Sequence, residues 1–309
     1  MHCITPVVFL IFRRPDLTAR VFETIRQAQP TKLLIVADGA RNEEEAILCQ
    51  QTRAVAEQID WDCEVLRNYS DVNLGCKLRV SSGLDWVFSE VEEAIILEDD
   101  CLPTQSFFYF CQTLLEYYRN DERVMHISGN NFQFRNQTTN YSYFFSKYGG
   151  IWGWASWRRA WKHYDRDMKT WSEINHHNLL DHIFDNWAEK LYWTDIFDRV
   201  VKGIPNTWDY QWLYVRWIQK ELSIAPTVNL VSNIGFNSNA THTNNDNHLA
   251  NMKTEDIWEI DHPPFIDRDY FADKYVFDYC YGGEKIKRYG RYFATILQKL
   301  ISIKRILIP

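Results

Sequence analysis

Short apolar runs alternate with amphipathic stretches along the first 130 residues of this 309-residue chain. The runs are rich in Val, Ile and Leu, which is typical of strands that are buried on both faces of a parallel sheet. The pattern predicts strands at 6–12, 32–37, 63–67, 94–97 and 123–128. It predicts helices at 17–28, 43–58, 77–91 and 105–119. Because strands and helices in alternation form a doubly wound, mainly parallel sheet, we expect an α/β fold.

The fourth predicted strand ends in three consecutive carboxylates, Glu98, Asp99 and Asp100, which we call the acidic triplet. Negative charges at the end of a buried strand are costly unless a cation lies beside them, and carboxylate oxygens suit a hard divalent cation. The triplet could instead belong to the start of the helix predicted at 105–119, whose first residues resemble a helix cap. Taken alone, these residues fit both interpretations equally well.

Charged residues also follow the neighbouring predicted strands. Arg13 lies after the first strand, Asp38 after the second, and Lys77 and Arg79 in the segment after the third. Because ligands of doubly wound sheets bind beyond the carboxyl ends of the strands, this convergence favours a metal site at the acidic triplet. Mg²⁺ or Mn²⁺ would bridge a carboxylate and substrate phosphates. Two alternatives stay open: Asp38 could simply stabilise the Asp-Gly turn, and Arg79 could be a solvated helix residue.

Several classes of function are excluded by what the sequence lacks. The first strand is not followed by Gly-x-Gly-x-x-Gly, and no Gly-x-x-x-x-Gly-Lys-Ser/Thr motif is present, so we expect neither a nicotinamide or flavin cofactor nor an NTPase-type phosphate loop. The net charge is −7, although residues 285–309 contain seven basic and no acidic residues. The remainder has 27 basic and 41 acidic residues, a net charge of −14, so nucleic acid is not an expected partner.

The second half of the chain has no βαβ rhythm. It contains a Trp-rich segment at 151–164, helices predicted at about 173–185, 188–202 and 208–220, and a polar loop at 229–248. Residues 283–309 form a basic amphipathic pattern, which predicts either an interfacial helix on anionic lipid or a helix packed on protein. No signal peptide or long apolar stretch is visible, and the seven cysteines are odd in number and show no paired metal spacing, so we expect a cytoplasmic protein. A C-terminal helix on lipid would make it peripheral on the inner face of the membrane.

The ordered set of motifs resembles glycosyltransferases of the GT-A fold. Asp38, Asn73-x-Gly75 and the acidic triplet are similar to motifs of the Golgi N-acetylglucosaminyltransferase family that starts complex N-glycans, and of related bacterial family 2-like glycosyltransferases. The Gly-Trp-rich segment 150–157 and the Trp-Asp segment 208–212 resemble later motifs of that family, with one extra residue between Asp209 and Trp212. The resemblance covers about residues 4–245 and implies a metal-dependent transfer from a nucleoside-diphosphate sugar, with a UDP-sugar favoured.

The resemblance also implies roles for the donor-binding residues. Asp100 would ligate the metal, Asp99 would contact sugar hydroxyls or ribose, and Glu98 would support the site. Asp38 would contact the base or ribose. Arg13 or Arg14 would lie near the nucleotide. Lys77 or Arg79 would lie near the phosphates or the base.

For the acceptor, the resemblance implies that Asp209 deprotonates a hydroxyl of a glycan or lipid-linked acceptor, with inversion at the anomeric carbon. Asp209 could instead be a helix N-terminal residue that favours the dipole. Trp152, Trp154 and Trp208 would form a stacking surface, and His242 would be a late metal ligand or a plain surface residue. On this interpretation residues 1–130 bind the nucleotide sugar and residues 131–282 bind the acceptor.

Two other functions fit parts of the pattern. A nucleotidyltransferase acting on sugar phosphates uses a similar sheet and metal carboxylates, but the first strand here lacks a Gly-rich basic loop. A non-catalytic carbohydrate-binding protein with a glycosyltransferase-like fold is the second alternative. The intact acidic triplet and Asp209 favour an enzyme over a binding protein.

Overall fold

The computed structural model describes residues 3–134, 136, 138–178, 180–236 and 249–290. Ten strands are described: β1 Val7–Ile11, β2 Lys32–Ala37, β3 Glu64–Tyr69, β4 Glu93–Glu98, β5 Cys101–Pro103, β6 Val124–Ser128, β7 Tyr143–Ser146, β8 Trp154–Trp157, β9 Leu222–Pro226 and β10 Val231–Asn233. Nine helices are described: α1 Pro15–Ala28, α2 Glu43–Ala56, α3 Gly75–Glu90, α4 Gln105–Tyr117, α5 Arg158–Trp161, α6 Trp171–His176, α7 Trp187–Val201, α8 Asp209–Ile218 and α9 Tyr270–Cys280.

Eight strands form one sheet in the order β3-β2-β1-β4-β8-β6-β9-β7. Strands β1 to β4, β6 and β9 run in one direction, and β7 and β8 run in the other. The predicted α/β class with a mostly parallel sheet is therefore confirmed. Each of the nine elements predicted in the first 130 residues is present, and its ends lie within two residues of the predicted ones.

The central strands are buried because their side chains alternate between two apolar layers. Phe9 of β1 packs in the core on the side of α1 and α4, whereas Leu10 packs on the side of α3 and the Trp-rich helices. Helix α1 contributes one apolar face, with Val21, Phe22 and Ile25 buried. Because both faces of these strands are covered by other elements, nearly all of their residues are apolar.

The two halves of the sequence share the same sheet. Strand β8, which comes from the Trp-rich segment, is inserted antiparallel between β4 and β6. The sequence did not predict this strand, because four residues with Trp at both ends are too short for a recognisable period. The helix predicted at 173–185 was also wrong in extent: α6 ends at His176, and Asn178 adopts a φ of +53°, which a continuing helix does not permit.

The described part of the C-terminal amphipathic segment, residues 283–290, is helical. Ile286 packs against the core, whereas Lys285, Arg288 and Tyr289 are exposed. Residues 291–309 lie outside the described part of the chain. Within the described part, none of the helices is long and apolar enough to cross a bilayer.

Candidate active site

The acidic triplet lies at the carboxyl edge of the sheet, between two pairs of strands. Glu98 is the last residue of β4, and β5 begins directly after Asp100. Strand β5 pairs antiparallel with β10, and the amide of Ile234 donates a 2.8 Å hydrogen bond to the carbonyl of Asp100. The triplet is therefore a turn held by backbone pairing on both sides, and it is not the cap of α4.

Arg14 binds two of the three acids. Its guanidinium donates one hydrogen bond to Oδ1 of Asp99 and another, of 2.9 Å, to Oδ2 of Asp100. The second oxygen of Asp99 accepts a 2.9 Å hydrogen bond from the amide of Phe12. Because Arg14 lies in the short loop between β1 and α1, it ties the loop after the first strand to the end of the fourth.

Burial and mutual repulsion act strongly on the carboxylates of Glu98 and Asp99. Burial raises the pKa of Glu98 above the usual value, and the charges of Asp100 and Asp99 raise it further. Burial also raises the pKa of Asp99, against the opposing effect of Arg14. Three acids with one guanidinium leave a formal charge of −2, so a bound cation would relieve the repulsion.

The residues present fit a divalent cation that takes few protein ligands. Within the described residues, no group of three or more His, Cys, Asp or Glu side chains could hold a metal ion by itself. Mg²⁺ and Mn²⁺ are commonly bound through one or two carboxylates, with water and substrate phosphates as the other ligands. Asp100 is suited to this role, because its side chain is 13% exposed whereas that of Asp99 is 2% exposed.

The backbone next to β10 closes one side of Asp100. A Cβ added to Gly235 would lie 2.2 Å from Oδ2 and 2.9 Å from Cβ of Asp100, so only glycine fits there. Such close approach of a backbone to a carboxylate is a recognised use of glycine. The sequence analysis did not single out Gly235, because it lies in the predicted polar loop at 229–248 and its local sequence gives no signal of this contact.

Asp38 is fully engaged with the protein itself. Oδ1 accepts 2.9 Å hydrogen bonds from the amides of Gly39 and Leu74, and Oδ2 accepts bonds of 3.0 Å from Gly75 and 3.1 Å from Nδ2 of Asn73. The carboxylate thus holds the turn that begins α3 against the end of β2. This geometry corresponds to the structural alternative in the sequence analysis, and it leaves little capacity for a contact with a base or ribose.

Arg79 also has a bracing role in the described structure. It is 7% exposed, and it donates hydrogen bonds to the carbonyls of Ala37 and Asn68 and a 2.8 Å bond to Oδ1 of Asn68. Burial lowers the pKa of its guanidinium below the usual value. It is therefore neither a solvated helix residue nor directed at a phosphate site.

The other two predicted basic residues are accessible at the same edge. Arg13 is 28% exposed and forms a 3.2 Å ion pair with the buried Glu45 of α2. Lys77, in the first turn of α3, is 22% exposed and lies 3.7 Å from a carboxylate oxygen of Asp167. Both cations are therefore partly exposed, and each already has an acidic partner.

Asp209 approaches the acidic triplet from the second half of the chain. It is the first residue of α8 and accepts a hydrogen bond from Oγ1 of Thr207. Its charge raises the pKa of Glu98, which requires that the two carboxylates lie in the same region. The first and second halves also touch nearby, since a Cβ added to Gly75 would lie 3.3 Å from Nδ2 of Asn206.

The charges that act on Cys76 agree with this placement. Burial raises the pKa of its thiol to about 12, and the charges of Glu98, Asp209, Asp38 and Arg14 all act on it. The acid that follows β2, the acid that ends β4 and the acid that begins α8 therefore all act on one position in the first turn of α3.

Two of the three predicted stacking tryptophans are core residues. Trp154 is fully buried and Trp208 is 1% exposed, and their rings stack on each other with centroids 5.5 Å apart. Trp154 also stacks on His126, with centroids 5.1 Å apart. Trp154 faces inward because it belongs to a central strand. The prediction that these two rings form an acceptor surface is therefore wrong. They pack in the core beneath the start of α8, next to Asp209.

Trp152 is the remaining candidate for an acceptor contact. It is half-buried and makes edge-to-face contacts with Phe132 and Phe236, at centroid distances of 5.6 and 5.5 Å. Phe236 directly follows Gly235, so Trp152 lies close to the segment that closes Asp100. The predicted metal ligand His242 lies outside the described residues.

Comparison with known proteins identifies no family. No protein-family profile matches the chain, and no curated protein sequence matches it. A solved structure of UDP-glucose pyrophosphorylase complexed with UDP-glucose is 12% identical, with a TM-score of 0.26 over 40% of this chain and 56% of that chain. The apo form of mouse xyloside xylosyltransferase 1 is 11% identical, with a TM-score of 0.32 over 55% of this chain and 76% of that one. At such TM-scores these similarities carry no argument about fold or activity.

Proposed function

We propose that this chain is a metal-dependent glycosyltransferase of the GT-A type, which transfers a sugar from a nucleoside-diphosphate sugar to an acceptor hydroxyl. One observation carries the proposal: the loop that leads into α8 and Asp209 lies beside the start of α3, where Asn206 approaches Gly75, at the same edge of the sheet as the acidic triplet at the end of β4. A cation site and a separate carboxylate base are the two groups that such a transfer needs. The preference for a UDP-sugar rests on the sequence resemblance.

The donor would bind at the edge formed by the ends of β1 and β4. Asp100 would hold Mn²⁺ or Mg²⁺, and Asp99 would be kept in place by Arg14 and the amide of Phe12. When bound, the cation supplies Lewis-acid stabilisation of the diphosphate leaving group. Arg13 and Lys77 would add positive charge near the diphosphate, and Asp38 would act as a positioning residue for the start of α3.

In the transfer step, Asp209 accepts the proton of the acceptor hydroxyl while the acceptor oxygen attacks the anomeric carbon. The bond from that carbon to the diphosphate oxygen breaks, and its electron pair leaves with the nucleoside diphosphate. Thr207 orients Asp209 through its hydrogen bond. Attack on the face opposite the leaving group inverts the configuration.

Acceptor binding falls to residues around Trp152, whose half-buried ring can stack on a sugar face. The exposed basic residues Lys285 and Arg288 are compatible with an anionic lipid surface, which would suit a lipid-linked acceptor. This membrane contact remains part of the proposal.

The decisive experiment is a panel of nucleotide sugars, with and without Mn²⁺, measured by thermal shift and by slow hydrolysis of the donor. We expect at least one donor to stabilise the protein only when Mn²⁺ is present, and to be hydrolysed with release of nucleoside diphosphate. Asp100→Asn should abolish the Mn²⁺-dependent part of both signals. Asp71→Asn, an exposed acid in the loop before α3, is the matched control and should change neither.

The same panel separates the alternatives. A nucleotidyltransferase would form a nucleotide sugar and pyrophosphate from a nucleoside triphosphate and a sugar 1-phosphate. A carbohydrate-binding protein would bind free sugar without dependence on Mn²⁺ or nucleotide. The absence of any Mn²⁺-dependent response to all donors would refute the glycosyltransferase proposal.

A further inference from the structure

A groove distant from the acidic triplet lies between α1, α4 and the segment that follows residue 249. Its volume is about 230 Å³, and it is lined at its ends by Cys3, Ala28 and Trp258. Cys3 precedes β1 and Ala28 ends α1, so the groove lies toward the amino ends of the strands. The acidic triplet lies at the opposite, carboxyl edge.

Two aromatic rings form one wall of the groove. Trp258 is 51% exposed although it is a large apolar side chain, and its ring lies 6.0 Å from that of Tyr109 on α4, tilted by 31°. The backbone beside Trp258 is fixed, because Oγ of Ser106 donates a 2.7 Å hydrogen bond to Asp256 and accepts one of 3.1 Å from the amide of Ile257. The backbone that carries Trp258 is therefore held in place, while about half of its side chain stays exposed.

Three glutamine side chains, Gln27, Gln105 and Gln112, provide the polar part of the lining. Oε1 of Gln112 accepts hydrogen bonds of 2.7 and 3.2 Å from the amides of Ile4 and Thr5, so that the amide group is oriented while its donors stay available. Nε2 of Gln105 donates a 3.0 Å bond to the carbonyl of Thr24, which likewise orients its acceptor oxygen. The groove thus presents both donors and acceptors in fixed positions.

No charged side chain is among the described residues that line this groove. A phosphate, a metal ion or a charged peptide would therefore find no counter-charge there. Flat aromatic faces combined with planar amides suit a ligand that has both C–H faces and hydroxyl groups. The volume is below the roughly 300–1,000 Å³ of sites for drug-sized ligands, which limits the occupant to about one ring.

We propose that this groove binds a single neutral sugar residue, with the ring stacked on Trp258 and its hydroxyls bonded to Gln105 and Gln112. The site is separate from the proposed transfer site and does not depend on turnover. In an oligosaccharide, a sugar bound here would tether the chain to the protein surface away from the metal edge.

Saturation-transfer difference NMR on the full chain tests this proposal, with methyl glycosides of glucose, galactose, mannose, xylose and N-acetylglucosamine as probes. We expect transfer to at least one glycoside, and about tenfold weaker binding in Trp258→Ala, because one aromatic contact is worth roughly that factor. Trp258→Phe keeps a ring and should retain most of the affinity. Phe265→Ala is the matched control, since Phe265 is 72% exposed and does not line the groove.

Asp100→Asn distinguishes this site from the transfer site. Sugar binding at the groove should persist in that variant and in the presence of UDP and Mn²⁺, even if the proposed transfer reaction proves wrong. The proposal is overturned if none of the glycosides shows transfer, or if Trp258→Ala binds them as well as Phe265→Ala does. A loss of thermal stability in Trp258→Ala with unchanged sugar binding would likewise show that the ring is only structural.

Discussion

Arg14 donates a 2.9 Å hydrogen bond to Oδ2 of Asp100. The same guanidinium binds Asp99, so a single cation from the loop after β1 neutralises only part of the acidic triplet. The acidic side chains stay close together because the strands on both sides of the triplet are paired. Strand β4 pairs with β1, and β5 pairs with β10. The carboxyl edge is therefore a fixed, electrostatically strained site, and this relationship leads to the first prediction.

Arg14→Ala should destabilise the protein by about 2–3 kcal/mol near neutral pH, somewhat less than a fully buried pair because Arg14 is 24% exposed. Without Arg14, the 2% exposed carboxylate of Asp99 loses its cationic partner. Chemical denaturation would measure the loss in the free energy of unfolding. Arg14→Lys should recover only part of it, because an ammonium group cannot bind both carboxylates through a planar fork.

The control for this variant is Arg26→Ala. Arg26 lies on α1, the helix that begins directly after Arg14, and it pairs with Glu23, but both side chains are more than 40% exposed. We expect no measurable change in stability from its removal, as is usual for exposed ion pairs. Equal losses in the two variants would contradict the special role of Arg14.

Stability should fall as the pH rises, and a divalent cation should reverse this fall. The pKa values of Glu98 and Asp99 are raised in the folded state, so the folded protein holds protons that the unfolded chain releases. The stabilising contribution is complete below the ordinary carboxyl pKa of about 4 and is lost as the pH rises through the raised values. Mn²⁺ should therefore raise the melting temperature more at about pH 8 than at about pH 5, where protons compete for the same oxygens.

Glu98→Gln is the matched variant for the pH dependence. It removes one repelling charge, so we expect the metal-free protein to gain about 1–2 kcal/mol at alkaline pH and to show a shallower dependence on pH. Melting temperatures across the pH range, with and without Mn²⁺, provide the measurement. The explanation is wrong if the variant and the native sequence have parallel pH profiles.

Gly235→Ala should weaken metal binding at the proposed site without changing any charge. The new methyl group would lie 2.2 Å from Oδ2 of Asp100, so the carboxylate must move. We expect about a tenfold loss of Mn²⁺ affinity, as is common when the support of a metal ligand is disturbed. Calorimetric titration with Mn²⁺ and UDP would measure it. Gly282→Ala is the control, because Gly282 has a φ of +73° and no neighbour within 4 Å, and it should lose stability without losing metal affinity.

The sequence predicted the position of the site better than the role of each residue in it. Periodicity located β4 and its three terminal acids, and sheet topology predicted that the ends of the parallel strands would meet. Side-chain orientation was not accessible by these means. Asp38 was expected to face a ligand, but its carboxylate accepts four hydrogen bonds from neighbouring protein groups.

The Trp-rich segment shows the same limit. Strand β8 has only four residues, which is too few for an alternating pattern to be recognised. The inward orientation of Trp154 could therefore not be deduced from the sequence. Gly235 has no local signal either, because its importance comes from contact with a residue 135 positions earlier. Contacts between distant segments depend on tertiary packing, which composition and spacing do not encode locally.

Asp38→Asn should lower the stability of the protein, and it should not weaken UDP binding directly. An amide has one acceptor oxygen, so the donors that now face the second oxygen would meet an NH₂ group. We expect a loss of about 2–3 kcal/mol, since hydrogen bonds to a charged acceptor are among the stronger ones. If Asp38 instead contacts the nucleotide directly, the variant would keep its stability and lose affinity for UDP. Denaturation and UDP titration of the same sample distinguish the two outcomes.

Asp209→Asn should lower kcat by about 10²–10⁴-fold, the usual contribution of a general base, with little change in the KM of the donor. The reason is positional: Asp209 begins α8 next to the buried Trp208 and is oriented by Thr207, while the donor would bind through residues of the first half. Thr207→Val should cause a smaller loss, of about tenfold, because the carboxylate remains but its orientation is less restricted. Steady-state kinetics with the donor identified by the nucleotide-sugar panel would measure both variants. Turnover close to normal in Asp209→Asn at saturating substrates would remove Asp209 from the mechanism and would leave the acidic triplet without a partner for proton transfer.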